Sequence, residues 1–259
     1  MDKSDFIGII PARYASSRFP GKPLVKIGGK SMIQRVYEQV SKVLDCVYVA
    51  TDDTRISEAV TAFGGKVMMT SDQHKSGTDR CFEAYVKSGT GRRVIVNIQG
   101  DEPFIQPKQI ERLCACFDDP ETQLATLVKP FKAEDGVEAL FNPNTPKVVL
   151  NKNSEAIYFS RSVIPYKRGA EEKEWLSRHQ YYKHIGLYAY RSDVLAEITK
   201  LPQSSLELAE SLEQLRWIEN GYKIKVGITE METIGIDTPD DLLRAEQFLR
   251  SREQQGESF

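Results

Sequence analysis

Phe6-Ile7-Gly8-Ile9-Ile10-Pro11-Ala12-Arg13-Tyr14-Ala15-Ser16-Ser17-Arg18-Phe19-Pro20-Gly21-Lys22-Pro23 is the stretch that decides the fold. Its first five residues are apolar without alternation, as a strand covered on both faces requires, and Pro11 is expected to stop it. The loop that follows carries Arg13, Arg18 and Lys22 within ten residues. In open α/β sheets ligands gather at the carboxyl edge of the strands, so cations placed there point to an anionic ligand.

Outward from this strand the pattern repeats. Ser31 can cap a helix whose apolar positions Met32, Ile33, Val36, Val40 and Val43 recur at helical spacing. Cys46 to Ala50 reads as a strand, Thr54 to Phe63 as a helix closed by Gly64-Gly65, and Lys66 to Met69 as a third strand. Thr78 to Lys87 is a helix and Val94 to Ile98 a fourth strand. This β-α order predicts an α/β fold with an open, mostly parallel sheet and helices on both faces. From Leu124 to Tyr190 the strands Leu124 to Val128, Lys147 to Leu150, Ala156 to Phe159 and Ile185 to Tyr190 are joined by irregular loops. They predict a strand-rich antiparallel insertion, 124–190, within a single domain spanning 1–259. A helix over Ser205 to Asn220, a strand over Lys223 to Gly227 and a helix over Pro239 to Arg250 with Asp237-Thr238 at its cap complete the pattern.

Composition narrows the function classes. Against 37 acidic residues the 35 basic ones leave a net charge of −2, which offers nucleic acid or an anionic membrane no global attraction. No run of about 18 apolar residues occurs, and Met1-Asp2-Lys3-Ser4-Asp5 lacks a signal peptide's apolar stretch, so the cytoplasm is the expected compartment. Cys46, Cys81, Cys114 and Cys116 fall at no zinc spacing and read as structural thiols. With three histidines in the chain, any metal is expected to be a hard ion held by oxygen.

The basic loop suits a polyphosphate, for which charge-assisted contacts are the strong ones, and Gly21 lets backbone approach it closely. It is neither a Walker A loop nor G-x-G-x-x-G. Gln99-Gly100-Asp101-Glu102-Pro103 closes the fourth strand and presents Asp101 at the same edge. Taken alone, that turn reads equally as a structural cap, Asp237 as a helix N-cap and Ser76-Gly77-Thr78-Asp79 as a helix start.

Ile9 to Leu24 resembles the signature of the 3-deoxy-manno-octulosonate (Kdo) cytidylyltransferases, the CMP-Kdo synthetase family. The likeness continues through Ser76 to Asp79, Asn97 to Pro103, Tyr158 to Arg161, His184 to Tyr188, Leu212 to Arg216 and Gly235 to Asp240, and so covers about residues 6 to 250. The related sialic acid enzymes carry a different loop, whereas a close Kdo analogue such as 8-amino-Kdo stays open. The resemblance implies a Rossmann-like nucleotidyltransferase architecture, CTP and Kdo as substrates, Mg²⁺ as cofactor on Asp101 and Asp237, and a homodimer. Arg13, Arg18 and Lys22 would hold the triphosphate, while the Ser76 turn, Gln99 and the Pro11-Ala12 backbone would meet cytosine. Arg161, His184, Tyr188, Glu213 and Gln214 would line the sugar-acid site, although each also reads locally as an ordinary strand, helix or ion-pair residue. His184 and Tyr188, four apart on a strand, are expected to project from one face.

Overall fold

Strand β1 (Phe6–Ala12) runs through the middle of the N-terminal unit, in a computed structural model that describes residues 2–15, 19–231, 235–236 and 238–254. With β2 (Val47–Thr51), β3 (Val67–Met69) and β4 (Val94–Asn97) it forms parallel ladders in the order β4-β1-β2-β3. Ile7, Ile9, Ile10, Val49, Val94, Ile95 and Val96 have no exposed surface. Each such side chain stabilises the fold by about 1.5–3 kcal/mol relative to exposure, which is why these runs carry no polar alternation.

Pro11 does not end β1, which continues to Ala12 opposite Thr51. Gly8 N–H donates to Cys46 on the β2 side, and Ile9 C=O accepts from Ile98 on the β4 side. By alternation the missing Pro11 N–H faces the β4 side, where β4 has already ended at Asn97, so no ladder bond is lost.

Helices α1 (Met32–Ser41), α2 (Thr54–Ala62) and α3 (Gly77–Ser88) begin at Ser31, Asp53 and Ser76, whose side chains accept from Gln34, Arg55 and Asp79 amides. The late helix Pro239–Gln254 starts on a capping arrangement of Thr238 with Asp241: Thr238 N–H and Oγ1 donate to the Asp241 carboxylate, and Asp241 N–H donates back to Oγ1. Thr238 thus does the capping expected of this pair, and Asp237 lies outside the described residues. Ile27, Met32, Phe104, Ile236, Ala245 and Leu249 form a buried cluster that fastens this helix to its unit.

The chain divides into two compact units, Met1–Glu111 with Thr233–Phe259, and Arg112–Glu232. The second is wider than the 124–190 insertion expected from pattern. Its strands are β5 (Leu124–Pro130), β6 (Lys147–Leu150), β7 (Ala156–Ser160), β8 (Tyr182–Arg191) and β9 (Ile224–Ile228). β8 pairs antiparallel with β5 and β6, and β6 antiparallel with β7, as expected of this stretch. β9 pairs parallel with β5, and this pairing brings Lys223 to Gly227 into the second unit.

One local reading needs correction here. Ser205 to Asn220 is two helices, Ser205–Glu210 and Gln214–Glu219, parted at Ser211, which takes a left-handed conformation (φ 51°) and closes the first. Within the polar segment Arg178 to Lys183, Tyr181 is buried and stacks with Trp175 in a second core cluster with Phe131 and Leu140. Among the described residues no helix is long and apolar enough to cross a membrane.

Candidate active site

The carboxyl edge of the first unit collects the phosphate-directed groups. Ala12 is the buried last residue of β1, and exposed Arg13 follows it. Gly21 N–H donates to Tyr14 C=O at 2.9 Å, which brings the two ends of the basic loop together. Gly21 has φ 73°, a conformation that suits glycine, and the Tyr14 ring lies so close that a Cβ would sit 3.2 Å from it. Arg55 lies over that ring, its Cζ 3.3 Å from the centroid. Ser16, Ser17 and Arg18 lie outside the described residues.

Lys22 and Asp101, far apart in sequence, meet here: Lys22 Nζ donates to Asp101 Oδ2 at 2.8 Å, with the lysine side chain 13% and the aspartate 33% exposed. The Asp101 C=O accepts from Ile236 N–H at 3.0 Å, which ties the late segment to the end of β4. Asp237, the next residue in sequence, lies outside the described residues. Gly100 leaves room for protein: a Cβ would stand 2.9 Å from the Pro11 carbonyl oxygen, so glycine here lets β1 and the acidic turn close on each other.

Asp101 Oδ1 has no protein donor among the described residues, and Glu102 Oε2 beside it is buried with no partner. Burial first, and Asp101 second, push the Glu102 carboxyl up to about 8. Carboxylate oxygen at a sheet edge is donor chemistry that fits a hard divalent cation. Among the described residues no three acidic, histidine or cysteine groups cluster as a metal cage.

Ser76 caps α3, with Oγ accepting from Asp79 N–H at 3.1 Å, and Gly77 lies against the Pro11 ring. This turn and the end of β1 thus lie side by side. Gln99 ends the β4 approach half-buried, and its carboxamide has no hydrogen bond among the described residues. Sequence proximity gave no sign of His74, yet its C=O accepts from Arg13 Nη1 at 3.4 Å. Its Nε2 bonds to Glu83 on α3, which also accepts from Ser71 N–H and Lys87. Burial pushes the Glu83 carboxyl up, but Lys87, the Ser71 amide and His74 outweigh it and bring it down to about 2.

A depressed folded value means stability present above the unfolded carboxylate value and lost as pH falls through the folded one. Glu83→Gln is therefore expected to cost about 2 kcal/mol at pH 7 in urea unfolding. The difference from wild type should shrink between about pH 4.5 and 2. A difference that stays constant down to that acid limit would show that Glu83 packs rather than pairs.

In the second unit β8 carries His184 and Tyr188 on one face, as expected, but by an unexpected route. His184 pairs with Val128 and Tyr188 with Thr126, so a bulge of two residues between Ile185 and Tyr188 keeps the parity. The two rings are 5.3 Å apart, and Phe159 lies edge-on to His184 at 5.1 Å. Burial pushes the His184 imidazole down to about 3, so the ring is neutral. Burial, then Tyr190 and Glu213, hold the Tyr188 phenol well above its ordinary value against a smaller opposing pull from Thr126. The Tyr188 Oη is buried without a partner in bonding geometry, and so is Gln214 Nε2. Half-buried Glu213 approaches Arg216 at 4.0 Å.

Arg161 is built differently from an open carboxylate clamp. Its Nε donates to Glu210 C=O at 2.6 Å, Nη1 to Pro143 C=O at 3.0 Å and Nη2 to Ser211 C=O at 3.3 Å. Three of its five N–H groups are thus engaged by backbone. Its own amide donates to Glu210 Oε2, and its C=O accepts from buried Lys147, whose amine burial pushes down to about 8. Glu210 and Lys147 carry no local signal of this role.

The cytidylyltransferase family model matches residues 7–224. A 3-deoxy-manno-octulosonate cytidylyltransferase of Phocaeicola vulgatus is 72% identical over 248 residues, 96% of this chain and 98% of that protein. The solved structure of a CMP:2-keto-3-deoxy-manno-octonic acid synthetase complexed with CTP is 45% identical, with TM-score 0.86 over 95% of this chain and 99% of that one. A putative glucose-1-phosphate thymidylyltransferase from Bacillus anthracis, solved with a sucrose, is 17% identical with TM-score 0.63 over 95% of each chain, a likeness of fold alone. The class is thus an α/β nucleotidyltransferase fold bearing the cytidylyltransferase pattern. The chain belongs to the 3-deoxy-manno-octulosonate cytidylyltransferase family.

Proposed function

We propose that this chain transfers CMP from CTP to Kdo, giving CMP-Kdo and pyrophosphate, the activated sugar acid used in lipopolysaccharide biosynthesis. The observation that carries the reading is the Lys22–Asp101 pair at 2.8 Å on the carboxyl edge of a parallel sheet, beside a basic loop. An edge that holds both a cation for phosphate and a carboxylate for a metal suits transfer of a nucleotidyl group better than storage of a nucleotide. The names of the similar proteins supply the substrates.

The anomeric hydroxyl oxygen of the sugar acid bonds to the α-phosphorus, the bond from that phosphorus to the β-phosphate oxygen breaks, and the hydroxyl proton passes to solvent. Arg13 and Lys22, with Arg18, neutralise the triphosphate and the departing pyrophosphate. The Ser76-Gly77 turn, Gln99 and the Pro11-Ala12 edge offer hydrogen-bonding groups for cytosine. His184, Tyr188 and Gln214 present polar atoms in a largely buried setting to sugar hydroxyls, and Arg161 and Glu213 flank them in the same unit. A divalent cation on Asp101 and Asp237, for which we assign Mg²⁺, would supply charge neutralisation at phosphate and acidify the attacking hydroxyl.

We further assign a homodimer. Ile157, Tyr166 and Leu208 leave large apolar surface exposed on the second unit and support that unit as the interface. The substrate reading is tested by pyrophosphate release from CTP with Kdo, 8-amino-Kdo or N-acetylneuraminate as acceptor. Release with Kdo and not with N-acetylneuraminate is expected. Equal release with the sialic acid, or release with no acceptor, would overturn it, and the 8-amino arm ranks the close analogue.

A further inference from the structure

Thr126 lies in the middle of β5 with no exposed surface, opposite the bulge in β8. Its Oγ1 is 2.8 Å from Leu187 C=O, 3.2 Å from Ile185 C=O and 3.0 Å from His184 Nε2. A hydroxyl has one proton, and carbonyl oxygens only accept. Were that proton given to His184, both carbonyls would face bare lone pairs of Oγ1 at bonding distance. With the proton on the Leu187 carbonyl, a lone pair of Oγ1 receives the His184 Nε2–H, and of the two carbonyls only that of Ile185, the farther one at 3.2 Å, is left without a proton from Oγ1. The neutral ring then carries its proton on Nε2, and Nδ1 is an acceptor without a protein donor among the described residues.

We propose that Thr126 is a positioning residue that fixes the His184 Nε2–H tautomer, so that Nδ1 accepts a hydrogen bond from a hydroxyl of the sugar acid. The proposal rests on the reading that His184 belongs to the sugar-acid site. It makes the site selective for a donor at that position, and it explains a threonine inside an apolar strand. The Leu187 carbonyl at the bulge and the imidazole need one small group that donates to the first and accepts from the second.

The test is a two-bond ¹H–¹⁵N correlation spectrum of the ¹⁵N-labelled protein, with His184→Phe identifying the His184 signals among three histidines. Wild type is expected to show the Nε2–H pattern. Thr126→Val should lose it, in favour of Nδ1–H or a mixture, and raise KM for Kdo on the order of tenfold with KM for CTP unchanged. Thr126→Ser, which keeps the hydroxyl, should keep both properties. An Nδ1–H pattern in wild type overturns the proposal whether or not the valine variant folds, and so does an unchanged tautomer in Thr126→Val. His184→Phe with an unchanged KM for Kdo overturns the underlying site reading together with the contact to sugar. A raised KM in that variant beside a wrong tautomer overturns the role of Thr126 alone.

Discussion

Asp101→Asn is expected to reduce kcat by about 10³-fold at saturating CTP and Mg²⁺, with KM for CTP changed far less. Asparagine keeps the shape of the side chain and can still meet Lys22 through its carbonyl oxygen. What it removes is the negative charge, and with it a hard anionic ligand for a divalent cation. Lys22, held at 2.8 Å in the wild type, loses its counter-charge and becomes more available to phosphate. The variant should therefore bind the nucleotide and fail to turn it over, which separates this change from Lys22→Met, expected to weaken CTP binding first. Manganese titration by electron paramagnetic resonance gives a second readout, with weaker binding expected in the asparagine variant. Near-normal turnover would remove Asp101 from the metal role.

Much of this site and its frame was legible from local pattern. Apolar runs without alternation located β1 to β4, and Ser31 and Ser76 marked two helix starts that the structure keeps. Lys22 and Asp101 were both readable as residues of one sheet edge, because each follows a strand. Their direct pairing was not, since nothing in sequence encodes a distance across strands. Pro11 misled because its cost depends on whether a neighbouring strand still runs beside it, a matter of strand length elsewhere. The second unit outgrew its expected bounds for a similar reason. β9 joins it by parallel pairing to β5, a contact made across the whole unit.

The sugar-side residues show the same division. Spacing placed His184 and Tyr188 on one face, and the structure agrees only because the bulge adds an even number of residues. Thr126 and the His74 carbonyl were invisible, for a buried threonine in a strand and a backbone oxygen leave no pattern. Ser211 broke a helix that periodicity carried straight through, because a left-handed serine is unusual enough that propensity argues against it.

That break gives the buried pair of Glu207 and Arg216 its weight. Arg216 Nε donates to Glu207 Oε2 at 2.7 Å and Nη2 to Oε1 at 2.5 Å, so the pair staples the helix before Ser211 to the helix after it. Glu207 also closes a capping box with Ser204. Burial pushes its carboxyl up, yet Arg216 and the Ser204 amide outweigh it and hold it below the ordinary range. Arg216→Ala would leave that carboxylate buried and alone, and is expected to cost about 3–5 kcal/mol at pH 7, read as a lower denaturant midpoint. The sign with pH follows. In wild type the depressed value contributes stability above the unfolded carboxylate value and loses it as pH falls. In the variant burial acts unopposed by arginine, the folded value rises, and protonation favours the folded state. The two unfolding curves should therefore converge as pH falls below about 5, and a gap that stayed constant with acid would show that the arginine acts by packing its stem. Because Glu213 and Gln214 stand beside the second helix's first turn, the same variant should raise KM for Kdo while sparing KM for CTP. Glu207→Gln, which keeps volume and an oxygen that accepts from the arginine, should lose less stability than Arg216→Ala, which leaves a buried carboxylate with no partner for its charge.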